Sequence, residues 1–303
     1  CSARMIDKLA GNRKTRTLIH VGSFNLPLTP DNIIFTTQHA ATRKHNPHFP
    51  YSNTLVIQLL GAEGALMERE YYSVGGGFIE WKGYKPPRRG KPRFPYANTV
   101  QLQNQLKRHH LHPHAMMLAN EQAITGMTRE QIEAQLDGIL DAMFAAIKRG
   151  VVTEGFLPGP VRLHRKSALL FQRAQKMTRS PDRFLVYLSA YAFAVAEENA
   201  AGHPVVTAPT CGSAGVIPAA LYFLYRHEEL PRATLRNALL AAAAVGFICQ
   251  HGASISGAEV GCQGEIGVAS AMAAAAIADA RGHQFAIQEN AAETALEHHI
   301  GLT

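Results

Sequence analysis

Ser254-Ile-Ser-Gly-Ala-Glu-Val-Gly-Cys-Gln-Gly-Glu265 runs directly into Ile266-Gly-Val-Ala-Ser-Ala-Met-Ala-Ala-Ala-Ala-Ile-Ala-Asp279, and the fold is decided at this junction. The first half carries two hydroxyls, two carboxylates, three glycines and one thiol, whereas the second is almost wholly apolar and rich in alanine. Alanine faces let helices approach closely, so the second half predicts a buried helix over about 266–281 in a compact, all-helical domain. A core does not bury the polar density of the first half unless those groups are hydrogen-bonded or used. A thiol among carboxylates suits metal ligation or acid–base work, so 254–265 is read as functional ahead of structural.

Working outward, a second polar, glycine-rich segment is Ala208-Pro-Thr-Cys-Gly-Ser-Ala-Gly215, placed before a helix predicted over about 214–227. Gly212 and Gly215 would bring backbone N–H groups close to whatever sits at that helix N-terminus. Unpaired N–H groups and the helix dipole both favour an anion there, such as a carboxylate. The plain structural alternative is an ordinary N-cap with glycines for packing. Further helices are expected at about 231–249 and 288–299. Thr128-Arg-Glu-Gln131 has capping-box spacing ahead of Ile132, Leu136, Ile139, Leu140, Met143, Phe144 and Ile147, and Gly150 provides a stop. Ser180-Pro181-Asp182 opens a helix towards Asn199 that ends near Gly202.

Before about Pro95 the pattern differs. Asn53–Leu60 and Ala65–Val74 read as two strands joined by a short Gly-containing turn, followed by Gly75-Gly76-Gly77. From Trp81 to Pro95 the composition shifts to Lys, Arg, Pro and Gly, which marks a domain boundary. The net charge is +7, and the basic excess belongs to the first 183 residues, because Phe184 onward holds four Lys/Arg against ten Asp/Glu. Lys82–Lys91 could serve nucleic acid, but it lacks a recognisable binding motif and reads as a solvated linker. The cysteines, Cys1, Cys211, Cys249 and Cys262, show no Cys-x-x-Cys pair, which excludes a zinc ribbon. The first twenty residues are basic with no long apolar run, so no signal peptide is read. Phe184–Ala196 and Ala238–Cys249 are shorter than the roughly 20 apolar residues a bilayer requires. A soluble, cytoplasmic protein is the default expectation.

At the polar segments the sequence resembles a known family. SISGAEVGCQGEIGVASAMAAA (254–275) and AAETALEHHIGLT (291–303) are similar to the catalytic α-domain of bacterial iron–sulfur L-serine dehydratases. The likeness extends through LANEQA (118–123), TEGFLPGP (153–160) and VVTAPTCGSAGVIPAAL (205–221). YYSVGGGFI (71–79) resembles the end of that family's β-domain. What the resemblance implies is a [4Fe–4S] cluster held by three cysteines, its open iron acting as a Lewis acid on the serine hydroxyl. A base removes the α-proton, and the aminoacrylate tautomerises and hydrolyses to pyruvate and ammonia.

Carried over onto this sequence, Cys262 matches the first cluster cysteine, the metal ligand of this reading. The family's second cluster cysteine follows directly after EHHIGLT and its third about ten residues later, so the chain is expected to be truncated. The family's N-terminal Ser-Ser-Ser-His-Thr and Gly-His-x-Thr-Asp motifs are also absent, which implies truncation at both ends and an inactive chain on its own. Substrate binding is assigned to Thr210, Cys211, Gly212, Ser213, Ala214, Gly215, Ser254 and Ser256. Many relatives carry Asn at the place of Cys211, which is read as lining the site rather than ligating the cluster. Candidates for catalysis are Glu259, Glu265 and His298. The glutamates also fit hydrogen bonding around the cluster ligands, and His298 with His299 equally fits a cation at a helix C-terminus.

Pyridoxal phosphate is not expected, since its Schiff-base lysine has no candidate after Lys176. Two rivals stay open, a cysteine desulfidase-like lyase and a non-catalytic amino-acid-binding relative without the cluster. The sequence therefore predicts an α+β protein: a partial β-domain over 1–82, a linker over 83–97 and an all-helical catalytic domain over 98–303. It predicts L-serine as substrate, no nucleic-acid or membrane partner and, by analogy, a homodimer.

Overall fold

In the computed structural model, residues 17–21, 24–28, 54–75, 78–159, 161–178, 180–253 and 257–300 are described. They fall into two compact units, Cys1–Tyr72 and Ser73–Thr303. Strands β1 (Thr17–Val21) and β2 (Phe24–Leu28) pair antiparallel with Thr17 opposite Leu28. The two predicted strands form as β3 (Thr54–Gly61) and β4 (Gly64–Gly75), antiparallel, with Gly61 opposite Gly64 across a two-residue turn. Gly64 holds φ +132°, a conformation that suits glycine because it has no Cβ. β5 (Phe78–Trp81) completes a three-stranded sheet in the order β3–β4–β5.

Nine helices follow among the described residues: α1 (Thr99–His109), α2 (Pro113–Thr125), α3 (Arg129–Gly150), α4 (Ser167–Lys176) and α5 (Arg183–Ala200), then α6 (Val216–His227), α7 (Arg232–Gly252), α8 (Gly257–Ala280) and α9 (Phe285–Ile300). The protein is thus α+β, with the strands N-terminal to the helices. The capping box forms as the spacing predicts: Thr128 accepts from the Gln131 N–H, and the Gln131 side chain accepts from the Thr128 N–H. The 83–97 stretch is pinned at its far end, where Asn120 of the LANEQA motif accepts from Phe94 N–H (2.7 Å) and donates to its carbonyl (3.0 Å).

Two boundaries differ from the sequence reading. The helix read as opening at Ser180-Pro181-Asp182 begins at Arg183, with Asp182 rather than Ser180 at its N-cap. The polar run was expected to precede a helix at 266, but α8 already begins at Gly257. Glycine lowers helix propensity without forbidding a helix, while Glu and Gln favour one. Ser256 and Glu259 also stand at the Ser-x-x-Glu spacing of a helix start.

Helix α6 is the hub. Ile217, Leu221 and Leu224 are fully buried against α3 residues Leu140, Met143, Phe144 and Ile147 and against Tyr191 of α5. Alanines Ala238 and Ala242 of α7 and Ala273 and Ala276 of α8 pack into the same core. Among the described residues α7 alone is long and apolar enough to cross a membrane, by length and composition. Its Arg232 and Arg236 pair with Asp137, Asp141 and Glu133 on α3, and Leu235 and Ala238 are wholly buried.

Candidate active site

The 208–215 segment forms the loop that leads into the buried hub helix. Ser213 ties the loop to itself: its hydroxyl accepts from Thr210 N–H (3.4 Å) and lies 3.3 Å from the carbonyls of Ala208 and Thr210, one of which it donates to. Asn199, near the end of α5, donates to the Cys211 carbonyl at 3.0 Å and fixes the loop from outside. A Cβ added at Gly215 would stand 2.5 Å from the Ala192 carbonyl oxygen, so this close approach to α5 requires glycine. Thr210, Ser213, Ala214 and Gly215 are buried, while Cys211 and Gly212 are exposed.

Two features give the loop anion-binding character. Helix α6 has no side-chain cap and no acidic residue in its first turn, so no side chain there offsets its dipole, although the Val216 N–H already donates to the Ser213 carbonyl (3.1 Å) and the Ala214 N–H to the Cys211 carbonyl (3.3 Å). Thr210 is 8% exposed, and its hydroxyl has no hydrogen-bond partner among the described residues. An unpaired buried hydroxyl costs about 1–3 kcal/mol, so a ligand that accepts its proton would relieve that cost.

Glu265 is the point at which the two polar segments meet. The three atoms nearest a Cβ added at Gly212 all belong to the Glu265 carboxyl group, which would collide with it. The carboxylate of α8 therefore lies over the exposed glycine of the loop. Glu259 and Cys262 lie on the first two turns of α8. Ser254 and Ser256 lie outside the described residues, as does Cys1. His298 stands exposed near the end of α9, with its ring edge-on to His299 at 6.4 Å. His299 is the inward member of that pair. Its Nδ1 donates to the Ala295 carbonyl at 2.8 Å, and its Nε2 faces the Ser270 hydroxyl of α8 at 3.4 Å. Burial pushes the thiol of Cys249, on α7, above its ordinary pKa, as suits a structural cysteine.

Beside the loop lies a polar cluster that the sequence analysis did not single out. The carboxylate of Glu198, with a side chain 1% exposed, accepts from Arg149 (2.9 Å), Arg165 (3.0 Å) and His203 (2.8 Å). Glu197 accepts from the N–H groups of Lys166 and Ser167, capping α4 from another element. Glu197-Glu198-Asn199 ends an otherwise apolar, alanine-rich helix, and that interruption was the available signal. The cluster holds the chain around TEGFLPGP, where Gly155 and Gly159 have φ of +101° and +132°, against α5.

Among the described residues no three His, Cys, Asp or Glu side chains converge on a point where a metal could sit. A [4Fe–4S] cluster takes up to four thiolates, so the described residues do not by themselves make a cluster site.

Residues 108–303 match the family model "Serine dehydratase alpha chain", and residues 2–84 match "Serine dehydratase beta chain". The chain is 39% identical over 260 residues to L-serine dehydratase 2 of Escherichia coli (strain K12), an alignment covering 84% of this chain and 57% of that protein. It is 40% identical over 261 residues to an L-serine dehydratase of Haemophilus influenzae, with the same 84% and 57% coverage. Against an L-serine dehydratase of Streptomyces coelicolor it is 36% identical over 312 residues, covering all of this chain and 68% of the relative. The chain thus spans 57% of the length of the first two relatives.

Proposed function

The chain belongs to the serine dehydratase family, and on that premise we propose that it carries the substrate-binding core of a lyase that converts L-serine to pyruvate and ammonia. The observation that carries this reading is the 208–215 loop, with its buried unpaired Thr210 hydroxyl at the uncapped N-terminus of the hub helix. In this reading the serine carboxylate takes the Thr210 hydroxyl and those backbone N–H groups of the loop, other than Thr210 and Ala214, that are not bonded within it. The buried flank of Ser213 and Ala214 keeps water from one side of the substrate.

Chemically, the α-proton leaves Cα and the hydroxyl leaves Cβ as water, giving aminoacrylate. Its imine tautomer takes up water and releases ammonia. Glu259, Glu265 and His298 are the candidates for handling the α-proton. The proposed cofactor is a [4Fe–4S] cluster with Cys262 as one ligand, and not pyridoxal phosphate. Family membership is consistent with such a cluster. The same reading makes the protein soluble and cytoplasmic, a homodimer acting on a small molecule, with no nucleic-acid or membrane partner. The β-domain is proposed over 1–82, the linker over 83–97 and the catalytic domain over 98–303.

The test is made on the full-length gene product purified without oxygen, following pyruvate from L-serine, sulfide from L-cysteine, and bound iron. Pyruvate release that disappears in Cys262→Ala is the expected result. Sulfide release without pyruvate would turn the reading to a desulfidase, and serine binding without turnover to a non-catalytic binding module.

A further inference from the structure

We propose that Glu265 is the residue that recognises the α-ammonium group of the substrate, opposite the loop that takes its carboxylate. The assignment rests on the reading of 208–215 as the carboxylate site. Its first ground is position: the Glu265 carboxyl group lies directly over Gly212, and only the missing side chain at 212 leaves room for it.

The second ground is that Glu265 is uncommitted. It is half-buried, yet has no hydrogen bond or ion pair to any described residue. The buried carboxylates of this domain are treated differently. Glu198 accepts from two guanidinium groups and the His203 ring, Glu197 accepts two backbone N–H groups on one of its oxygens, and Asp279 accepts from His114 and Gln288. With no cation beside it among the described residues, the Glu265 carboxylate is free to pair with a cationic ligand.

The third ground is electrostatic. A carboxylate over an anion-binding loop would repel a simple anion, so the pair is a poor site for a bare carboxylic acid. It is complementary to a zwitterion that carries its ammonium and carboxylate on one carbon. The site so built selects α-amino acids over the corresponding hydroxy acids, because the hydroxy acid brings the negative charge without the positive one. An ionised Glu265 occupied in this way does not take the α-proton, which leaves that role to Glu259 or His298.

The experiment is calorimetric titration of the full chain with L-serine and with L-glycerate, which has a hydroxyl where serine has its ammonium. The wild-type chain is expected to prefer serine. Glu265→Gln keeps the shape and removes the charge; it is expected to lose tenfold or more in serine affinity and to bind glycerate as well as or better than before. A second variant, Gly212→Ala, displaces the carboxylate without altering it and should also weaken serine selectively. A merely structural role would weaken both ligands together, and either that result or an unchanged serine preference in Glu265→Gln would overturn the assignment. A wild-type chain that binds neither ligand would refute the carboxylate-site reading itself, and the assignment with it. A wild-type chain that binds glycerate and serine equally would leave the carboxylate site standing and refute only the role of Glu265.

Discussion

Gly212 and Gly215 stand in the same loop, yet they are needed for different reasons. A Cβ at Gly215 meets the rigid backbone of α5, with the Ala192 oxygen at 2.5 Å and its Cα at 3.3 Å. Gly215→Ala is therefore expected to destabilise by about 1–3 kcal/mol, the usual cost of overpacking. A lower urea midpoint at unchanged m-value would register this, and an unshifted midpoint would contradict the packing described. A Cβ at Gly212 meets only the end of a side chain that can swing, so Gly212→Ala should change stability by less than about 0.5 kcal/mol. Thr210 carries a third prediction. Thr210→Val removes the unpaired buried hydroxyl with little change of shape, so stability should hold or rise by about 1 kcal/mol. Serine affinity should fall at the same time, and a variant that binds serine as tightly as the wild type would remove Thr210 from the site.

Elements are joined by two ionic networks of unequal weight. In the one between α3 and α7, Arg232 and Arg236 meet Asp137, Asp141 and Glu133 at partly exposed positions. Solvent screens such pairs, so Arg236→Ala should cost no more than about 1 kcal/mol. The Glu198 cluster joins the end of α3 and the chain before α4 to α5, and both Glu198 and Arg165 are almost fully buried. Removing the carboxylate strands the Arg165 charge, so Glu198→Ala should cost about 3–5 kcal/mol.

The same carboxylate gives the fold an acid limit. Burial alone pushes Glu198 up, but hydrogen bonds from Arg149 and Arg165 and the His203 charge outweigh it and hold it below its ordinary value of 4.5. A folded-state pKa below the unfolded one means that the contribution is complete above the unfolded value and is lost as pH falls through the folded value. Urea unfolding of wild type and Glu198→Gln between about pH 6 and pH 3 should show the two curves converging as pH falls. Parallel curves would mean that Glu198 titrates alike in both states.

At the scale of the molecule, every residue of the three hydrophobic clusters lies between Phe94 and Ala292, within the second compact unit. A core of that size carries its own stability, so residues 83–303 expressed alone should unfold cooperatively with strong helical circular dichroism. A broad, non-cooperative melt would show that the helical domain depends on the preceding strands.

The sequence by itself determined the fold class, the β3–β4 hairpin, the Thr128–Gln131 capping box and six of the nine described helices after Pro95, because each follows from periodicity and caps along a short stretch of chain; α1, α2 and α4 went unread. It also singled out Thr210 and Glu265, since hydroxyls and carboxylates among alanines and glycines are conspicuous in composition. Only the tertiary structure decided that Gly212 and Glu265, on separate elements, face each other. It alone brought Arg149, Arg165 and His203 around one buried carboxylate and extended α8 back to Gly257. Those outcomes depend on which helix faces pack together, and packing between segments distant in sequence leaves no periodic trace in either segment.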